Sequence, residues 1–138
     1  MNEFRFSDLS VGHKEEFTRT ISEEDMDVFR KLSGDVNPLH MDSGFATERG
    51  FNDKVVFGML TASLISTLGG VYLPGKHCII QEVETKFLRP VYPGDTLTVT
   101  GTVKEMNDTV EQVVTKVEIR NQDGVKVVRG TLKTGFLK

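Results

Sequence analysis

The sequence predicts an α+β fold in which an antiparallel β-sheet wraps around a central α-helix. Apolar or small side chains occupy nearly every position of residues 57–68, as expected for a helix enclosed by other structure. From Cys78 onward, alternation of polar and apolar residues and an excess of β-branched side chains indicate strands. Four strands are predicted, over residues 78–88, 96–105, 110–120 and 125–136. Consecutive hairpins form an antiparallel sheet, and one sheet with short connections can cover one helix.

The chain before the central helix supplies a further strand and an amphipathic helix. Residues 15–21 contain Phe, Thr and Ile and predict a first strand, whereas residues 1–12 fit either a strand or an arm packed on the body. Ser22 is a favourable N-cap for a helix over residues 23–31, and acidic side chains in its first turn suit the positive end of the helix dipole. The face of this helix that would pack on the core contains Met26, Phe29 and Leu32.

Length and composition favour a single domain without a nucleic-acid or membrane partner. The 138 residues suffice for one sizeable core, so residues 1–138 are expected to form one domain. The net charge of −3, with both signs mixed, indicates no basic face for nucleic acid or an anionic membrane. One cysteine excludes an intrachain disulfide, and together with the lack of a secretory signal it favours a cytoplasmic location. No stretch is long and apolar enough to span a bilayer.

The segment after the amphipathic helix carries the candidate chemistry. Gly34 can end that helix because glycine accepts the positive φ of a helix C′ position. Asn37 and Pro38 fit the start of a type I turn that would run to His40. Such a turn brings the His40 imidazole towards the Asp35 carboxylate, and these two groups can work as an acid/base pair. The simpler alternative is an ordinary turn, because Asp, Asn and Pro are common turn formers.

The order of residues around this turn is specific. Phe29 and Leu32 precede the run Ser-Gly-Asp-Val-Asn-Pro-Leu-His-Met-Asp at residues 33–42. This order resembles the signature of the MaoC-like, or R-specific, enoyl-CoA hydratases. Residues 87–95, Phe-Leu-Arg-Pro-Val-Tyr-Pro-Gly-Asp, also resemble a strand-turn segment of hotdog hydratases and thioesterases. The resemblance implies the hotdog fold and the hydration of 2-enoyl thioesters of coenzyme A or acyl carrier protein.

The resemblance also implies roles for four residues. Asp35 is expected to be the general base that activates water, and His40 is expected to share that water and to position it or return its proton. The backbone N–H of Gly58 matches the family's oxyanion contact, and the first N–H groups of a helix suit this role on physical grounds as well. Ser66 matches a family serine near the catalytic pair, although its hydroxyl can instead bond back to its own helix.

The sequence departs from the family pattern immediately before Gly58. Many relatives have His where this sequence has Phe57, so one side-chain donor is lost and the pocket shape or acyl selectivity is expected to differ. We expect Asn37, Phe57 and Met59 to contact the substrate. Asn37 and Asp42 are also expected to support the loop, Asp42 as a helix cap.

No cofactor is expected, since hydration needs only water and a proton. No metal is expected either, because the sequence has no fixed-face ligand pair such as His-x3-His on a helix. A single sheet leaves strand edges to cover, which favours a homodimer or higher homo-oligomer, as the resemblance also implies. Two alternative functions remain, a hotdog acyl-thioesterase and a non-catalytic module that binds acyl thioesters.

Overall fold

The computed structural model describes residues 1–138 and contains one five-stranded antiparallel sheet and three α-helices. The strands are β1 (Lys14–Thr20), β2 (Cys78–Phe87), β3 (Thr96–Asn107), β4 (Gln112–Arg120) and β5 (Lys126–Phe136). The helices are α1 (Glu23–Ser33), α2 (Ser43–Thr47) and α3 (Gly58–Thr67). The predicted α+β fold, an antiparallel sheet with a central helix, is therefore confirmed.

Helix α1 begins at the predicted residue and continues two residues beyond the predicted end, up to the predicted terminator Gly34. The Ser22 hydroxyl accepts a hydrogen bond from the Asp25 N–H at 3.1 Å, and the Asp25 carboxylate accepts one from the Ser22 N–H at 2.9 Å. This reciprocal capping box satisfies two N–H groups that the helix itself leaves unpaired. At the other end Gly34 adopts a φ of 74°, which allows the chain to leave the helix and turn.

The strand order is β1-β3-β4-β5-β2. Strands β3, β4 and β5 form the consecutive hairpins that the sequence predicts, but β2 pairs with β5 and not with β3. The connection between β2 and β3 crosses the end of the sheet, where the Leu88 N–H bonds to the Val127 carbonyl and the Gly94 N–H to the Ile21 carbonyl. The expectation that every strand pairs with the next in sequence was wrong for β2, because this connection is long enough to reach the opposite edge.

Helix α3 packs on the inner face of the sheet. Ile65 and Leu68, at its end, are 1% and 0% exposed and belong to the main core with side chains of β3, β4 and β5. Gly101 on β3 permits this packing, since a Cβ there would lie 2.9 Å from a Leu68 methyl group. The glycine thus lets the helix approach the sheet closely.

Residues 1–12, which the sequence left open between a strand and an arm, form an arm. The Asn2 N–H donates to the Val71 carbonyl at 2.8 Å, and Glu3 forms an isolated bridge with Gly75. Leu9 is buried in a second, smaller core cluster beside the main one. The arm therefore covers the chain that follows α3.

One face of α3 and the edge strand β2 are open. Met59 is 65% exposed, and Ser63 and Ser66 continue this exposed stripe along the helix. The sequence predicted a helix enclosed on all sides, which was wrong for this face because no part of the described chain covers it. Strand β2 exposes large apolar side chains, namely Ile79, Ile80, Val83 and Phe87. None of the helices combines the length and hydrophobicity that a membrane-spanning helix requires.

Glu118→Gln is expected to lower the free energy of unfolding at pH 7. On the outer face of the sheet, hydrogen bonds from Lys116 and then Lys126 lower the pKa of the Glu118 carboxyl to about 2. A carboxyl whose pKa is depressed by folding stabilises the protein above its unfolded pKa and loses that contribution as the pH falls through its folded pKa. In urea titrations, the difference between wild type and variant should shrink between about pH 4.5 and about pH 2.

The control for this experiment is Glu105→Gln, an exposed carboxylate on β3 outside this charged cluster. This variant should follow the wild-type stability profile through the same pH range. A constant difference between Glu118→Gln and wild type from pH 7 to pH 2 would contradict the assignment.

Candidate active site

The C-terminal end of α1 positions Asp35, the first acidic residue of the site. The Ser33 hydroxyl donates to the Phe29 carbonyl at 2.7 Å and accepts from the Asp35 N–H at 3.2 Å. Gly34 donates its N–H to the Arg30 carbonyl, which closes the helix. The backbone of Asp35 is therefore held immediately after the helix terminus.

The predicted turn follows and is confirmed. Asn37 begins a single 3₁₀ turn over Pro38–His40, and the His40 N–H donates to the Asn37 carbonyl at 3.0 Å. The Asn37 side-chain oxygen accepts from the Leu39 N–H at 2.9 Å, and Asp35 Oδ1 accepts from the Asn37 N–H at 3.1 Å. These local bonds fold the chain back so that Asp35 and His40 face each other.

The His40 imidazole is fixed by a contact distant in sequence. Its Nδ1 lies 2.7 Å from the carbonyl oxygen of Val55, and the side chain is 15% exposed. A carbonyl can only accept, so Nδ1 carries the proton, and in the neutral ring Nε2 presents a lone pair. The Asp35 Oδ2 lies 4.0 Å from this Nε2, and the Asp35 side chain is 45% exposed.

The distance between these two groups suits a shared water molecule. At 4.0 Å they are too far apart for a direct hydrogen bond. Both are acceptors when His40 is neutral, so one water can donate a hydrogen to each and keep its own lone pairs free. The arrangement can therefore hold a water by its two protons, oxygen outward.

Phe57 forms the support on which the imidazole rests. Its ring is 2% exposed and stacks on His40 with a centroid distance of 4.3 Å and an interplanar angle of 30°. A second aromatic neighbour of the Phe57 ring is Phe29 of α1, at a centroid distance of 4.8 Å. Phe57 thereby couples the orientation of His40 to the packing of α1.

Helix α3 begins beside this pair with unsatisfied backbone donors. Phe57 is its N-cap and provides no side-chain hydrogen bond, and the N–H groups of Gly58 and Met59 have no protein acceptor. Such donors at the positive end of a helix favour a partially negative oxygen. The ring of Phe87 lies against Gly58, where an added Cβ would come within 3.1 Å of it. Glycine at this position therefore keeps the helix terminus accessible.

Two cavities meet at His40, Gly58 and Phe87. The Asp35 cavity measures about 430 Å³, and its lining residues are Phe29, Ser33, Asp35, His40, Phe57, Gly58, Met59 and Phe87. The Thr61 cavity measures about 320 Å³, and its lining residues are His40, Phe51, Val55, Val56, Gly58, Thr61, Phe87, Leu88, Arg89, Pro90, Val91 and Val128. The Thr61 cavity does not include Asp35. A ligand bridging both cavities would pass the Asp35–His40 pair and the Gly58 N–H.

Of the remaining predicted site residues, only some line the two cavities. Met59 lines the Asp35 cavity and is mostly exposed. The side-chain oxygen of Asn37 is occupied by the turn, and Asn37 lines neither cavity. Ser66 also lines neither cavity and lies on the open face of α3. Asp42 caps α2 by accepting from the Phe45 N–H, as expected.

Sequence reasoning missed three contributors to this site. They are Val55, through its carbonyl, Phe87, through its ring, and Thr61, as part of the wall of the Thr61 cavity. None of them gave a distinctive signal, since Thr61 is one of four hydroxyl residues in α3. No group of three or more His, Cys, Asp or Glu side chains is placed to hold a metal ion.

Comparisons with known proteins agree on one family. The family model of the MaoC-like domain matches residues 8–125. An (R)-specific enoyl-CoA hydratase of Rhodospirillum rubrum is 40% identical over 98 residues, which cover 71% of this chain and 68% of that protein. An (R)-specific enoyl-CoA hydratase of Aeromonas caviae is 35% identical over 122 residues, which cover 88% of this chain and 91% of that protein. The solved structure of an (R)-hydratase from A. caviae involved in PHA biosynthesis superposes with a TM-score of 0.88 at 34% identity, over 93% of this chain and 97% of that chain.

Phe57→Ala is expected to lower the free energy of unfolding by about 3–5 kcal/mol, because it leaves a cavity between α1 and His40. Met59→Ala, two residues along the chain and 65% exposed, should change it by no more than about 0.5 kcal/mol. Urea denaturation followed by circular dichroism measures both values. Equal and small losses in the two variants would contradict the packing role of Phe57.

Proposed function

Because this chain belongs to the MaoC-like domain family, we propose that it is an R-specific enoyl-thioester hydratase. The reaction adds water across the double bond of a 2-enoyl thioester and gives a 3-hydroxyacyl thioester, and the reverse reaction is the dehydration. The proposal makes the protein a hydro-lyase. The observation that carries it is the 4.0 Å separation of two acceptors, Asp35 Oδ2 and His40 Nε2, beside free helix N–H groups.

The pair would activate water in the hydration direction. The water donates its hydrogens to Asp35 and His40, and its oxygen attacks the β-carbon of the substrate. One of the two groups takes a proton as the new C–O bond forms, and the π electrons shift towards the thioester oxygen. The same proton then passes to the α-carbon, so that one water has added and neither side chain is changed.

The thioester oxygen gains negative charge during this step. The N–H of Gly58 is placed to donate to it at the start of α3, where the helix dipole adds to the stabilisation. A single donor of this kind can contribute about 3 kcal/mol in the transition state. Phe87 shields this position on one side and helps to exclude bulk water.

The cavities suggest the direction in which the substrate lies. The β-carbon has to approach Asp35, which lines only the Asp35 cavity, while the thioester carbonyl reaches Gly58 at the junction. The sulfur and the carrier arm would then extend into the Thr61 cavity, away from Asp35. Arg89 lies exposed at the rim of that cavity and is available for the phosphates of coenzyme A or of a carrier-protein arm.

We also propose that residues 1–138 act as one domain and that the chain functions as a homodimer. The edge strand β2 is exposed along its length, including Ile80 and Val83, and leaves backbone groups free to pair with a second strand. Pairing of β2 with its copy would bring the open faces of two α3 helices together. The second copy would then cover Ser66 and would close the Asp35 cavity on the side of Met59. A cytoplasmic location stays a prediction, and the free thiol of Cys78 fits a reducing compartment.

Purified protein with crotonyl-CoA tests the reaction class. We expect the enoyl absorbance to fall without release of free thiol, which distinguishes hydration from hydrolysis by a thioesterase. Asp35→Asn and His40→Gln should each lower kcat at least about a hundredfold, given typical acid/base contributions. His13→Gln is the matched control, because His13 pairs with Glu15 outside both cavities. Wild-type rates in the Asp35 and His40 variants, or thiol release by the wild type, would refute the proposal.

Sedimentation velocity tests the proposed dimer. The wild type should sediment at twice the 15.4 kDa mass of the chain, and Val83→Lys should shift it towards the monomer, because a charge would be buried against the second copy. Val11→Lys, at an exposed valine outside β2, should leave the mass unchanged. A wild-type monomer at micromolar concentration would contradict the pairing.

A further inference from the structure

The outer face of the sheet, on the side away from α3, carries a hollow lined mostly by charged side chains. Its volume is about 470 Å³. Its cations come from all four of the strands β2 to β5, so only the register of the sheet brings them together. We call these five side chains the cationic patch, and they are Lys86, Lys104, Lys116, Lys126 and Arg129.

The patch is a local excess of positive charge on an acidic protein. Two carboxylates, Glu84 and Glu118, also line the hollow, so its formal charge is +3. The whole chain carries −3, and the residues outside the hollow therefore sum to −6. Such a distribution attracts a negatively charged partner to this face and repels it from the others.

Three cations of the patch are available to a partner. Glu118 engages the other two, since it lies 3.0 Å from Lys116 Nζ and 3.3 Å from Lys126 Nζ. Lys86, Lys104 and Arg129 are exposed and form no ion pair with a carboxylate of the chain. They can bind new carboxylates without first losing old ones.

The available cations are spread over a width that suits a protein surface. Lys104 lies on β3 and Lys86 on β2, which are three strand spacings apart in the sheet, or about 14 Å. A row of carboxylates on a folded partner can meet cations at this spacing. A nucleic acid or a membrane would extend beyond the hollow and meet the acidic remainder of the chain.

The patch adjoins the cavity that was assigned to the carrier arm. Lys86 and Arg129 are opposite each other on β2 and β5, and the next pair is Phe87 and Val128. Because side chains alternate between the faces of a sheet, this next pair lies on the inner side, where both residues line the Thr61 cavity. The exposed Arg89 follows at the rim of that cavity. The patch and the cavity thus meet at the same end of the sheet.

We propose that the cationic patch is the docking surface for a carboxylate-rich acyl carrier protein. The body of the carrier protein rests on Lys86, Lys104 and Arg129, and its pantetheine arm passes Arg89 into the Thr61 cavity. Coenzyme A brings the same arm without a protein body and does not need the patch. The inference rests on the proposed function, because the direction of the arm does.

The double variant Lys86→Gln/Arg129→Gln tests the docking surface with three crotonyl thioesters. For the thioester of a bacterial acyl carrier protein, KM should rise about three- to tenfold with little change in kcat, as expected for the loss of two exposed ion pairs. For crotonyl-CoA and crotonyl-N-acetylcysteamine, both constants should stay within about twofold of wild type. At an ionic strength of about 1 M the difference between variant and wild type should disappear, because exposed charges are then screened within about 3 Å.

Arg5→Gln/Lys138→Gln is the matched control. It removes one arginine and one lysine from a separate hollow beside Phe136, at the opposite end of β5, and should leave all three substrates unchanged. An unchanged KM for the carrier-protein thioester in the patch variant would overturn the inference. An equal rise for crotonyl-CoA would also overturn it, since the cations would then hold the phosphates of coenzyme A. So would an equal loss on all three substrates, which indicates a damaged site.

A binding measurement separates this inference from the proposed function. A wild type that hydrates none of the three thioesters refutes the function, and calorimetry with the pantetheine-bearing carrier protein then tests the patch alone. The affinity should fall about three- to tenfold in Lys86→Gln/Arg129→Gln and should be unchanged in Arg5→Gln/Lys138→Gln. No measurable binding to the wild type, or equal affinity of wild type and patch variant, would overturn the inference.

Discussion

The hydrogen bond between His40 Nδ1 and the Val55 carbonyl is the contact on which the arrangement of the site depends. Val55 is bound twice, because its N–H donates to the Leu39 carbonyl at 3.0 Å while its carbonyl accepts from His40 at 2.7 Å. The next residue, Val56, donates to the Val91 carbonyl. One short segment thus joins the Asp35–His40 turn, the start of α3 and the connection between β2 and β3. The imidazole is held in the Nδ1–H tautomer because the Val55 carbonyl accepts a hydrogen bond from Nδ1.

Signals confined to a few neighbouring residues made much of the fold predictable. Ser22 and Gly34 determine the ends of α1, and Asn37 with Pro38 determines the turn that brings Asp35 to His40. Alternating side chains located every strand to within a few residues, and the family signature singled out Asp35 and His40, which the structure brings to 4.0 Å of each other. These features depend on backbone preferences and capping bonds that act within four or five positions.

What the sequence did not predict depends on contacts between distant segments. Val55 lies 15 residues from His40, and a backbone carbonyl leaves no mark in the sequence. The Phe57 ring was expected to face the substrate, yet it is buried between His40 and Phe29, although it also lines the Asp35 cavity. The position of β2 beside β5 depends on the β2–β3 connection, which crosses the end of the sheet. These are properties of the packed molecule, not of any local pattern.

The central claim is that His40 presents an unprotonated Nε2 towards Asp35. Two-bond ¹H–¹⁵N correlation spectra of histidine-labelled protein report this directly, with His40→Gln assigning the signal among the three histidines. For the neutral ring we predict the pattern of the Nδ1–H tautomer, with the proton retained by the bond to Val55. A dominant Nε2–H tautomer would contradict the account, because the ring would then donate towards Asp35 and could not accept a proton from a shared water.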